Sequence, residues 1–225
     1  MADCEGIMKL QSIIHPATSV TFPAFMAERV YMREFHKQEG LPEDLKHWQP
    51  TVDAMLSGVD TDNPIYIIID CGIIQAGNTH RRKGLHIDGY WNPGLSAHGN
   101  TGHRSIPSGH GGGGRRHSYE PPSHKGKSPF HSSGSDTWKD STFEEPEGLI
   151  LASSLAACIG YVGEFEGPIG EGGDCSHIDL SGLMKIDMQA NVAYWGNVTN
   201  LHESIPVKSD CERQLVRLNV PGWTP

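Results

Sequence analysis

Disulfide and zinc-ribbon chemistry are the first things this sequence lacks. Its five cysteines (Cys4, Cys71, Cys158, Cys175 and Cys211) are odd in number, widely scattered and include no CxxC pair. Neither a disulfide framework nor a zinc ribbon is indicated, and a reducing, cytoplasmic location is expected. Long hydrophobic runs are missing too. The most apolar stretch, IYIIIDCGII, is too short to span a bilayer and carries Asp70. The first residues, MADCEGIMKLQS, lack the basic-then-apolar pattern of a secretion signal. Positive charge is scarce: 18 Lys and Arg stand against 27 Asp and Glu, for a net charge of −9. That balance argues against non-specific nucleic-acid binding by the surface as a whole, and no nucleic-acid signature stands out. A phosphate loop is absent as well, because SGHGGGG has no strand before it and no Lys-Ser/Thr after it.

What is present is a chain of 225 residues, 36% hydrophobic, enough for a single domain with a sizeable core. Residues 1–60 read as a helical N-terminal region. FMAERVYMREFHK places Phe25, Met26, Val30, Met32 and Phe35 on a broad apolar stripe, and EDLKHW and PTVDAMLSG read as two more short helices divided at Pro50. Residues 63–91 and 144–225 read as strands, short β-rich runs broken by Gly, Asn and Pro. ASSLAACIGY alone could be a small-residue helix. Between these, residues 92–143 form a Gly/Ser/His-rich insertion with almost no aliphatic side chains, a composition that cannot bury enough apolar surface to offset ordering its backbone. Its histidines recur every seven positions from His103 through His110, His117 and His124 to His131. The apolar positions of a coiled coil are missing, so that spacing has no packing explanation.

RRKGLHIDGYW carries the chemistry. On a strand, residues two apart share a face, so His86 and Asp88 present an imidazole and a carboxylate side by side. Two imidazoles and one carboxylate on one face of an ion suit non-haem Fe(II) and leave open positions. A third ligand is available in VTNLHESIPV, where His202 lies on a late strand. Farther on, Arg213 and Arg217 share a strand face, and a guanidinium fork is the natural partner of a carboxylate. The other reading of these arginines is a solvated face, with Val216, Leu218 and Val220 packed inward. A second HID, at His177 and Asp179, lies too close to His202 for the strands that must intervene. His15, His36, His47 and His80 read as structural or solvent-exposed.

In chain order His86, Asp88, His202 and Arg213 spell HxD…H…R, a pattern that resembles the Fe(II)/2-oxoglutarate-dependent oxygenases over roughly residues 65–220. The resemblance implies a double-stranded β-helix, a jelly-roll or cupin-like barrel, with the helical region packed outside it. It also implies Fe(II) held by His86, Asp88 and His202. Arg213, or Arg217 in its place, would bind the distal carboxylate of 2-oxoglutarate, with O2 as the second cosubstrate. Tyr90 and Trp91, just past the metal strand, would line the substrate pocket. The primary substrate is not implied. Two other readings stay open: a non-catalytic β-sandwich binding or assembly module with an interaction loop, and a cupin-like metal protein that uses no oxoglutarate.

Overall fold

The computed structural model describes residues 8–91 and 142–225. All but the last two positions of the expected insertion, and its seven-residue histidine spacing, lie outside the described residues.

The described residues build two antiparallel sheets packed as a sandwich. In chain order the strands are β1 Lys9–Ser12, β2 Ile14–Ser19, β3 Glu28–Phe35, β4 Ile65–Ile74, β5 Glu147–Ser153, β6 Cys158–Glu166, β7 Met184–Met188, β8 Val192–Asn197, β9 Leu201–Ser204 and β10 Cys211–Pro221. The larger sheet runs β2-β8-β5-β10-β4-β3; the smaller runs β1-β6-β7, with β9 also paired to β6. A 3-10 turn, Glu43–Trp48, leads into the short helix α1, Gln49–Met55.

Strands β4 and β10 are buried along nearly their whole length because both of their faces are covered. Ile65, Ile67 and Ile69 of β4 and Val216, Leu218 and Val220 of β10 pack under Leu45, Trp48, Val52 and Met55. The opposite face of the larger sheet looks into the sandwich. There Ile14, Leu151, Tyr194 and Leu215 meet Cys158 and Met188 of the smaller sheet. The outward face of the smaller sheet is sealed separately by Leu85, Ile87, Ile169 and Ile178 over Tyr161, Phe165 and Leu201.

The expected N-terminal helices are corrected in part. EDLKHW and PTVDAM form the 3-10 turn and α1, but FMAERVYMREFHK holds the edge strand β3. The cause of the misreading is visible in the pairing. A β-bulge shifts the register between Val30 and Arg33, and Val30 and Phe35 consequently point to the same core. One extra residue breaks the period of two and leaves apolar spacings that resemble a helical stripe. ASSLAACIGY is likewise not a helix: it ends β5, bends and begins β6.

Candidate metal centre

Glycines at both ends shape the HID segment. Gly84 (φ 84°) and Gly89 (φ 65°) take left-handed backbone that other residues rarely adopt. Between them the chain is extended and pinned on two sides. The His86 N–H donates to the His202 carbonyl (3.0 Å), and the His202 N–H returns the bond to the His86 carbonyl (3.1 Å). On the other edge Ile87 donates to the Gly173 carbonyl and Cys175 to that of Leu85, both at 3.0 Å. Residues that exchange both backbone bonds stand directly opposite each other. The two imidazoles are therefore neighbours, with ring centroids 4.4 Å apart. Ile87 turns to the outer core, as alternation requires, while His86 and Asp88 turn into the sandwich.

His86, Asp88 and His202 each offer a ligand atom, and these atoms lie within 4.8 Å of one another. Asp88 Oδ2 is 3.4 Å from His202 Nε2. The proton positions matter more than the distances. His86 Nδ1 faces the Gly84 carbonyl at 2.8 Å, and His202 Nδ1 faces the Asn200 carbonyl at 3.1 Å. A carbonyl only accepts, so each Nδ1 carries the proton and a neutral ring keeps its lone pair on Nε2. Burial, reinforced by the neighbouring His202, lowers His86 to about 3, so its ring is neutral near pH 7. A lone pair and a carboxylate thus converge with the second imidazole in a buried place. Such a set can share a cation, a proton or a metal ion. Carbonyl-fixed tautomers of this kind also orient metal-binding histidines. The donor set of two imidazole nitrogens and one carboxylate oxygen fits a divalent transition metal.

Arg217 is the other neighbour of Asp88. Its Nη1 lies 2.6 Å from Asp88 Oδ2, while Nη2 lies 3.8 Å from Met32 Sδ and Nε has no partner among the described residues. Burial alone would raise the Asp88 carboxyl; Arg217, helped by His202, more than offsets this and holds it well below the usual carboxylate range. One Asp88 oxygen is thereby engaged from the β10 side. The guanidinium of Arg217 sits on Asp88, where the sequence suggested a second anchor for a cosubstrate.

Arg213 is buried with no solvent exposure. Its Nε donates to Ser153 Oγ (2.9 Å) and its Nη2 approaches Cys158 Sγ (3.2 Å), but Nη1 has no partner among the described residues. Among the described residues it is paired with no carboxylate. Directly across the ladder stands Gly72, which contributes no side chain. The alternative of a solvated strand face is corrected: both arginines are buried, because the second face of β10 is the interior of the sandwich and not the surface.

Trp91 packs beside Met32, the neighbour of Arg217. It is buried against Met32 and Ile68, edge-on to Tyr31 at 5.6 Å and tilted against Tyr66 at 6.1 Å. Tyr90 turns away at Gly89, stacks on Phe143 and donates to the Glu145 carbonyl at 2.9 Å. The second HID makes no site: His177 faces the Pro168 carbonyl and Asp179 caps its own turn through Ser181.

Sequence reasoning missed the cluster around Asp70. This inward-facing carboxylate meets Arg81 at 3.0 Å, His80 at 3.4 Å and Arg29 at 3.9 Å. Burial would raise it, but the hydrogen bond and charge of His80 together with Arg81 lower it to about 2. The signal available was a lone aspartate inside an otherwise apolar run. No protein-family model, curated protein or solved structure matches the chain.

Proposed function

We propose that this chain is a metal-dependent oxygenase, using Fe(II) and 2-oxoglutarate, built on a sandwich of the double-stranded β-helix kind. The observation that carries the reading is the triad: two imidazoles whose protons are fixed on carbonyls, aimed with a carboxylate at one buried point. His86, Asp88 and His202 would hold the iron. Bound there, iron supplies the redox chemistry by which 2-oxoglutarate is decarboxylated to succinate and a second substrate is oxidised.

The chain's own residues supply the rest. The His86–His202 backbone pair fixes the spacing of two ligands, and Arg217 fixes the third by holding one Asp88 oxygen. Arg213 supports the cosubstrate assignment. A guanidinium buried without a counter-ion is costly, and a dicarboxylate whose distal end reached its unpartnered Nη1 would relieve that cost. Leu151, Tyr194 and Leu215 keep water from this end of the sandwich.

Two measurements test the reading. Protein purified without chelator should carry close to one equivalent of iron. Succinate should form from 2-oxoglutarate in proportion to enzyme, and Arg213→Ala should raise the apparent KM for 2-oxoglutarate about tenfold, the worth of one buried charge-assisted hydrogen bond. Iron without succinate would leave a cupin-like metal protein. Neither iron nor succinate would leave a non-catalytic sandwich module.

A further inference from the structure

We propose that the bulge in β3 builds the substrate-facing wall of this centre, and that the substrate is a planar ring carrying an anionic group. The substrate class rests on the oxygenase reading for its chemistry; the binding itself does not require the metal.

The wall begins with an unusual piece of backbone. Met32, at the bulge, has φ 48°, a left-handed conformation that a methionine rarely adopts. Bulges next to active sites re-aim side chains. Here the bulge sends Met32 inward, against Trp91, Ile68 and the Arg217 guanidinium. It leaves Tyr31 at the rim, 52% exposed and edge-on to Trp91. Trp91 packs on Met32, and Met32 touches the Arg217 that holds Asp88, so Tyr31 stands at the outer end of a run of side chains that ends at the triad's carboxylate. With Trp91 and Tyr66 it makes a wall of aromatic edges and faces, which favours a flat unsaturated partner over a saturated one.

The charge at the Asp70 end of this rim is opposite to that of the whole chain, while Glu34 is hydrogen-bonded to Tyr66 at the other end. Arg81 and Arg29 both lean on the single carboxylate of Asp70, and the Arg29 side chain is 71% exposed. Two guanidinium charges on one carboxylate leave positive charge facing outward, in a protein of net −9. A guanidinium fork matches carboxylate and phosphate. A neutral ligand would leave that charge unused, and a cationic one would be repelled.

The experiment uses the full chain, with and without Mn(II), and titrates four probes by calorimetry: benzoate, phenyl phosphate, cyclohexanecarboxylate and benzyl alcohol. Benzoate should bind at least about fivefold more tightly than cyclohexanecarboxylate, the aromatic preference, in line with the worth of an aromatic pair; benzoate and phenyl phosphate should also bind more tightly than the uncharged benzyl alcohol, through the guanidinium charge. Their order separates a carboxylate from a phosphate substrate. Tyr31→Leu should lose that preference and Tyr31→Phe should keep it, which marks the ring and not the hydroxyl. Arg29→Gln should weaken the anions and leave benzyl alcohol unchanged. Equal binding of all four probes, no binding of any, or an unchanged preference in Tyr31→Leu would overturn the proposal. If the preference is seen but no iron is retained, the oxygenase reading fails and this wall stands. If succinate forms but the preference is missing, this proposal fails alone.

Discussion

Replacing Arg213 by methionine separates a structural arginine from a ligand-binding one. The side chain is fully buried, spends two donors on Ser153 and Cys158, and leaves a third without a partner among the described residues. Methionine has similar reach and fills the same space without a charge. Exchanging a buried charge for a well-packed apolar side chain is often neutral or stabilising by about 1–4 kcal/mol. Against this stand two hydrogen bonds, one of them to sulfur, worth about 1–2 kcal/mol together. The ligand-free variant should accordingly melt no lower than the wild type. At about 2–4 °C per kcal/mol for a chain of this size, a rise of a few degrees is expected. Binding should move the other way. In wild-type protein loaded with Mn(II), 2-oxoglutarate at a hundred times its Kd should stabilise by about 2.7 kcal/mol, a shift of roughly 5–10 °C. In Arg213→Met a tenfold weaker Kd at the same concentration leaves about 1.4 kcal/mol, so that shift should fall to about half. The assay is thermal unfolding followed by circular dichroism, with and without 2-oxoglutarate, on both proteins. A variant that melts well below the wild type yet keeps its response to 2-oxoglutarate would refute the reasoning, because Arg213 would then be structural.

Asp88→Ala should lose metal binding and also strand the buried Arg217, destabilising the fold by about 3 kcal/mol or more; adding Arg217→Met should restore the melting temperature but not the metal, and a double variant that binds iron as before would exclude Asp88 as a ligand. Arg217→Gln should keep the fold and weaken metal affinity, read by competition with a chromogenic chelator; unchanged affinity would show that the Asp88–Arg217 contact of 2.6 Å does not orient the carboxylate. Asp70, lowered from 3.8 to about 2, contributes about 2 kcal/mol that is fully present above pH 4 and is lost as pH falls toward 2. Asp70→Asn should therefore be less stable than the wild type at pH 6 and equal to it near pH 2, as measured by urea unfolding. A gap that persists at pH 2 would assign the effect to packing.

The site was easier to read in the sequence than the scaffold around it. HxD is legible because its geometry is local: two residues apart on extended chain, they share a face whatever the topology. His202 could be found because a late strand with a lone histidine is an available third ligand. Its pairing with His86 could not, since backbone partners so far apart in the chain depend on how the sheets close. Arg217 was placed on the correct strand face, but its partner was not, because a side-chain contact across the sandwich has no sequence period. The β3 helix expectation failed for a definite reason, the bulge at Met32, which disguises a strand as a stripe. Arg213 and Arg217 were open to reading as surface residues because β10 is covered on both sides, and a strand carrying charged residues at alternate positions ordinarily has one wet face.

The double backbone bond between His86 and His202 also orders events in time. His86 and Asp88 precede residues 92–141 and His202 follows them, with Arg217 later still. A ribosome that has released the first half of the chain has therefore made two ligands and no site. The triad closes only when β9 has paired with β6 and with the His86 segment. If the triad holds a metal, its capture on this architecture is a late step, and a chain truncated upstream of β9 lacks the His202 ligand atom.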